Sequence, residues 1–435
     1  MLAKLKPVQF LLTSSLARNT GWMLLGQGLK LIIQALYFTM IARSLGASRY
    51  GAFVGVVALV GIFSPFASLG SGYLLIKNVA RDPYQFSSNW GRALSTTLLS
   101  SSILFAVIAL LSRFVLPLTI PFRLVIFVAA SDLFGNSVTE LCGHAFLAFD
   151  RLKWTSSLSV LLSASRLLAA VLVVVLYHSP TALQWGAFYF GSASIVTIAA
   201  LFMTLVKLGA PTFNLGRIPA EEREGFYISL GKSAATIYND LDKTMLARLG
   251  TLEATGIYGA AYRLIDVSFA PVASLLVAAY PNFIRAGSGG ISATLQYAKP
   301  LILHALCYAA LISIAVLAGA GIVPYILGNE YRLTVEALHW LALLPVLKVV
   351  HFFLSDVLAG ADHQGLKASI HVGVAVFNVL INLWIIPAYS WRGAAWSSIA
   401  SDALLVCSIG AAVLILSRRS QTGRAEAAVE VRAQA

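Results

Sequence analysis

Stretches of about twenty mainly apolar residues recur from Gly21 to Arg418, and no soluble insertion separates them. A helix rising about 1.5 Å per residue needs that length to cross a hydrocarbon core about 30 Å thick. Only helices and closed barrels satisfy every backbone group in lipid. Runs this long, rich in Leu and Ala, lack the ten-residue alternation of barrel strands. Composition agrees: 11% of residues are charged, against about 25% in soluble chains. The expected fold class is an all-α polytopic membrane protein with about 12 transmembrane helices. These are read over residues 21–41, 51–74, 93–112, 122–147, 155–177, 183–206, 226–247, 255–281, 299–321, 334–358, 367–388 and 393–417.

The longest connection, Leu208 to Glu224, carries Pro211, Pro219 and the run Glu221-Glu222-Arg223-Glu224 at mid-chain. The expected organisation is a cytoplasmic N-terminal segment (1–20), a six-helix bundle (21–207) and a cytoplasmic linker (208–225). A second six-helix bundle (226–417) and a disordered cytoplasmic tail (418–435) follow. Within the first segment, Val8 to Leu16 reads as a short interfacial helix rather than a cleaved leader. The net charge of +13 sits mostly between apolar runs, on the loops that place both termini inside. Lys77, Arg81, Arg151, Lys153, Lys367 and Arg418 belong to that set. Such a distribution argues against nucleic-acid binding, which concentrates charge on one polar face. Cys142, Cys307 and Cys407 form no CxxC pair and read as small buried hydrophobes, with no metal site expected.

The chain repeats itself. TMIARSLG at Thr39–Gly46 returns as TMLARLG at Thr244–Gly250, and Gly26 precedes the first Thr as Gly231 precedes the second. Tyr50-Gly51-Ala52 returns as Tyr258-Gly259-Ala260, and FSPFASL at Phe63–Leu69 returns as FAPVASL at Phe269–Leu275. Counted from the first residue of each match, the separation stays between 205 and 208 residues. Six spans per copy make the repeats parallel, an arrangement in which one half rocks against the other around a central cavity. Pro65 and Pro271 occupy matching positions and are read as kinks with a hinge role, or as kinks that only shape the bundle.

Ionisable groups inside spans cost about 2.5–3.5 kcal/mol each on insertion scales, so they must pair, line a wet cavity or lie near a span end. Gln27, Lys30 and Gln34 share one helical face, as do Lys232, Asn239 and Lys243 with Asp240 alongside. Asp132, Asn136 and Glu140 form another stripe, and His371, Asn378 and Asn382 a fourth. Asp240–Lys243 and Arg263–Asp266 are spaced for intrahelical ion pairs. Arg166 has no acidic residue near it in its own span and reads as an anion-binding group. Lys348 and Asp402 read as shallow or snorkelling groups, and His144 and His351 as packing residues rather than proton relays. There is no P-loop, HExxH or GxSxG, so neither ATP-driven transport nor catalysis is supported, and no cofactor or metal is expected.

Three segments carry a family resemblance: GQGLKLIIQALYFTMIARSLGASRYGAF, NDLDKTMLARLG and GIYGAAYRLIDVSFAPVASLLVAAYP. The chain resembles the polysaccharide (O-antigen-type) flippases of the multidrug/oligosaccharidyl-lipid/polysaccharide (MOP) exporter superfamily. The resemblance implies two six-helix bundles enclosing a cavity in a bacterial inner membrane. It also implies movement of an undecaprenyl-pyrophosphate-linked oligosaccharide to the periplasmic leaflet, as a partner for polysaccharide polymerisation machinery. On that reading Lys30, Arg166, Lys243 and Arg263 receive the pyrophosphate, and Gln27, Gln34, Asn239, Asn378 and Asn382 the sugar. Asp240, Asp266 and Glu140 are the candidate carboxylates for coupling to H+ or Na+. A multidrug cation antiporter of the same superfamily, or a membrane-embedded polymerase or ligase, stays open as an alternative.

Overall fold

In the computed structural model, residues 15–213 and 221–434 are described, and among them the backbone is helix and turn with no strand. The expected interfacial segment 8–16 lies almost wholly outside the described residues. Two compact units emerge, Met1–Thr236 and Ile237–Ala435.

The first unit starts with α1 (Ser15–Ala67), which is not one straight rod. Gly46 takes φ 74° and ψ 170°, a conformation that only glycine adopts cheaply, so two spans meet there. The helical backbone runs through Pro65, then ends at Ala67. Leu69 (φ 45°) and Gly70 (φ 69°) turn the chain into α2 (Ser71–Arg81), so the expected span 51–74 is divided between two helices. Next come α3 (Phe86–Val115), α4 (Phe122–Ala130), a π-helical turn (Ser131–Asn136) and α5 (Ser137–Leu147). The unit continues with α6 (Leu152–Leu176) and α7 (Ala182–Leu208).

A π turn disrupts the i to i−4 ladder and leaves carbonyls in need of donors. Neighbouring helices supply them. Ser101 Oγ on α3 donates to the Leu133 carbonyl at 2.7 Å, and Thr197 Oγ1 on α7 donates to the Gly135 carbonyl at 2.9 Å. Small hydroxyl residues thus hold these helices together in the way lipid-embedded packing favours.

The long helix α8 (Glu221–Leu249) runs through the division between the units. Its first turns pack on the first unit, later in the chain than the 208–225 boundary expected from composition. A Cβ on Gly225 would lie 2.1 Å from the Leu69 carbonyl oxygen, the Phe226 ring lies 5.9 Å from that of Phe66, and Ser233 Oγ donates to the Ile62 carbonyl at 2.6 Å. The second unit then holds α9 (Leu252–Gly287), α10 (Ile291–Gly319), α11 (Val323–Leu327), α12 (Arg332–Leu341), α13 (Leu344–Gly360), α14 (Gln364–Tyr389) and α15 (Trp391–Gln434). Phe269, Phe283, Val349, Phe353, Leu405 and Ile409 lead its core. Pro271 lies inside α9, which stays helical past it. Helix α15 continues to Gln434 where a disordered tail was expected; Ala, Glu and Arg, strong helix formers, dominate that stretch.

Leu99, Phe114, Ile195, Phe202, Val277, Leu311, Leu380 and Leu414 are exposed. In water such a surface would be a liability; here it faces lipid, and the protein is a multi-pass membrane protein. Among the described residues nine helices are long and apolar enough to cross, or ten when α12 and α13, bent by 45°, count as one. The bend falls before Pro345, at the start of α13, where a proline ring tolerates the first turn and forbids continuation of the helix before it. Two expected spans are lost from that tally. Leu25–Arg81 is taken as one stretch although Gly46 breaks it, and α8 is too rich in charge. Cys142 is buried, whereas Cys307 and Cys407 are exposed rather than buried as expected.

Candidate functional site

Each unit holds its own buried polar cluster. In the first, the π turn aims Asp132 and Asn136 at α6 and α7. Asn136 Nδ2 donates to Asp132 Oδ1 at 2.7 Å, and Tyr189 OH on α7 donates to the same oxygen at 2.9 Å. Arg166 Nη2 on α6 donates to Asn136 Oδ1 at 2.9 Å and lies 3.5 Å from Asp132 Oδ1. The guanidinium carbon stands 4.2 Å from the centroid of the Tyr189 ring, a cation–π contact strengthened by burial. Asp132 and Arg166 are 7% and 8% exposed, so the pair is closed on itself. Arg166 Nε is the exception, buried without a hydrogen-bond partner. Along its own helix Arg166 has no carboxylate. The carboxylate comes from another.

In the second unit, two lysines converge on one ring. Lys243 Nζ on α8 stands 4.0 Å from the centroid of Tyr262 on α9, and Lys348 Nζ on α13 stands 4.6 Å from it. Lys243 also donates to the Asp240 carboxylate, as the i, i+3 spacing predicted, and to the Asn239 carbonyl at 2.9 Å. Asp266, expected to pair with Arg263, lies 3.5 Å from Lys348 Nζ. Arg263 is half-buried on α9. Asp242, two residues beyond Asp240, is buried and accepts from the Tyr258 hydroxyl, and from Ser398 Oγ on α15 at 3.1 Å. The lysines are buried, whereas the Asp240 and Asp266 side chains are 37% and 42% exposed. Lys348 and Asp402, expected as shallow or snorkelling groups, are buried within the protein, 3% and 1% exposed. An isolated charge in an apolar run reads the same whether it reaches a partner or the headgroups.

Other expected site residues fall elsewhere. Gln27 is exposed on α1, and Lys30 and Gln34 are half-buried there. Glu140 is largely exposed, with one oxygen 4.0 Å from His144 Nε2. Asn378 Nδ2 donates to Ser401 Oγ at 3.0 Å, Asn382 Nδ2 donates to Asn378 Oδ1 at 2.9 Å, and Ser397 donates to Asn382 Oδ1. Both asparagines are buried, and their amides are engaged in joining α14 to α15. The side chain of Lys232 lies outside the described residues. Among the described residues no three His, Cys, Asp or Glu side chains gather as metal ligands would.

A family model described as polysaccharide biosynthesis protein matches residues 16–286. No curated protein matches the sequence. Solved structures share the fold. An inward-facing multidrug resistance MATE family transporter of the MOP superfamily aligns with a TM-score of 0.72 at 14% identity, covering 89% of this chain and 96% of that one. The lipid II flippase MurJ, in an inward closed conformation, aligns at 0.67 and 10% identity over 91% and 87%. A MOP-superfamily transporter from Pyrococcus furiosus, described as having a binding pocket of reversed polarity, aligns at 0.56 and 14% identity over 92% and 96%.

Proposed function

Because the chain belongs to the polysaccharide biosynthesis protein family and has the fold of MOP-superfamily transporters, we propose that it is a flippase for an undecaprenyl-pyrophosphate-linked oligosaccharide. It works in a bacterial inner membrane with both termini cytoplasmic, and moves its cargo to the periplasmic leaflet by alternating access.

The observation that carries this reading is the pair of buried lysines on Tyr262. A pyrophosphate entering lipid loses its hydration and needs donors that replace it. Lys243 and Lys348 bring two ammonium groups to one place, and their carboxylate partners are more accessible than the lysines themselves. Binding is then an exchange, in which the phosphate oxygens replace the Asp240 and Asp266 oxygens on the same cations. The prenyl chain stays in lipid. Asn378 and Asn382 drop out of this assignment, since each already has amide or hydroxyl partners.

One observation favours a second reading. Half-exposed Asp240 and Asp266 would also suit a cationic cargo, as a multidrug antiporter requires. Depleting the protein in its host distinguishes the two. The flippase reading expects lipid-linked oligosaccharide to accumulate on the cytoplasmic leaflet and surface polysaccharide to disappear. Unchanged polysaccharide with increased sensitivity to organic cations would reject it in favour of the antiporter.

A further inference from the structure

Neither cluster above uses His351 or Asp402. His351 lies on α13 and Asp402 on α15, and both are wrapped by the apolar core of the second unit. His351 Nε2 stands 3.4 Å from Asp402 Oδ1, an oxygen with no hydrogen bond of good geometry. An ionised carboxylate in such a place is costly unless a neighbouring cation balances it. An imidazole is the side chain whose charge can be switched near neutral pH.

A line of titratable groups leads away from this pair along the seam between α13 and α14. The His371 ring centroid lies 6.5 Å from that of His351, within the span of one water-mediated step. His371 Nε2 is 3.2 Å from Ser355 Oγ. One turn back on α14, Lys367 Nζ donates to Asp356 Oδ1 at 3.4 Å. Beyond lies the short turn of Ala361, Asp362 and His363, in which Asp362 is exposed. Exposure rises along the line, from His351 at 0% to half-buried His371 and on to exposed Asp362.

We propose that His351 and Asp402 form a proton-binding site, reached through His371 and the Lys367–Asp356 pair, whose loading and unloading is coupled to the transport cycle. The pair gains one proton, shared between imidazole and carboxyl, and later releases the same proton; no other bond changes. The groups that face His351 set its response. Lys348 stands one turn before it on α13, with Asp266 of α9 as its counter-ion. His371 and Lys367 act from α14, and Asp402 from α15. From α10, Tyr308 packs on the same core, its hydroxyl donating to the Ser268 carbonyl at 3.0 Å. Because Lys348 and His351 share one helix face, protonation of His351 puts positive charge beside the ammonium that holds Asp266. Proton binding and the lysine pair are thereby linked, and linkage is reciprocal. The coupling claim rests on the transporter reading; the proton site itself does not.

The test uses the full-length protein in lipid nanodiscs with its histidines isotopically labelled, followed by NMR from about pH 5 to pH 9. One resonance, lost in His351→Gln, is expected to titrate in the wild type and to have its midpoint displaced in Asp402→Asn. If His351→Gln does not fold, single replacements of the other six histidines assign the signal by elimination. A His351 resonance that does not move over this range, or moves identically in Asp402→Asn, overturns the site. Cellular export is the second readout. Asp402→Asn at normal protein level is expected to cut surface polysaccharide at least about fivefold, and full export overturns the coupling. Should removal of the whole protein leave polysaccharide unchanged, the cargo assignment fails while the titration still decides the proton site.

Discussion

The two buried clusters differ in how they close. In the first unit Arg166 and Asp132 neutralise each other, both shielded, on a backbone bent by a π turn. In the second, Lys243 and Lys348 are shielded, but Asp240 and Asp266 reach a more open side. The internal repeat makes the contrast informative. At the 205-residue separation that sets Thr39 on Thr244, Asp242 falls on Tyr37 and Lys243 on Phe38. Phe38 packs edge-on against Tyr50, 5.8 Å between centroids, whereas Tyr258, the counterpart of Tyr50, donates to Asp242. Duplication kept the helix breaks and the tyrosine while the polar chemistry diverged. A closed ion pair suits anchoring. A half-open one suits exchange.

The largest effect should fall on the closed pair. Asp132→Ala leaves a buried guanidinium uncompensated, and about 3–5 kcal/mol of stability should be lost, read as lower thermal stability in detergent. Replacing both residues, Asp132→Leu with Arg166→Met, should recover most of that loss, because two apolar groups need no partner. A double variant as unstable as the single one would break the anchoring half of the contrast. For the half-open pair the balance reverses. Lys348→Met should leave stability within about 2 kcal/mol, since Asp266 can be solvated, yet lower export about tenfold or more. Next in size is Tyr262→Leu, which removes the ring shared by both lysines and should cost about 0.5–2 kcal/mol, while Tyr262→Phe stays near wild type. Smallest is Asn378→Ala, expected to cost about 0.6–1.7 kcal/mol, the range of interhelical hydrogen bonds in membranes, with export retained. A large export defect there would return the asparagine stripe to the cargo path.

Much of the fold could be read from the chain because lipid imposes a simple rule: apolar runs of one length must be helices. The glycines that close TMIARSLG and TMLARLG fall at helix ends, at Gly46 within α1 and at Gly250 after α8. The site was less legible. A contact within one helix, such as Asp240 with Lys243, follows from a 3.6-residue period. Arg166 with Asp132, Lys348 with Asp266 and His351 with Asp402 depend on which helices pack and at what rotation, which no period encodes. The stripe of Asn378 and Asn382 has the same spacing whether it faces a cavity or a partner helix, and here it meets Ser397 and Ser401. The π turn left no local signature beyond the polar residues it presents.

The central claim is that two buried lysines handle an anionic lipid headgroup during transport. The direct measurement is translocation of an undecaprenyl-pyrophosphate-linked oligosaccharide across proteoliposomes holding purified protein, wild type beside Lys243→Met with Lys348→Met. The account predicts transbilayer movement by the wild type and its loss in the double variant, with both proteins equally folded. Equal movement by the two proteins, or none by the wild type, would contradict it.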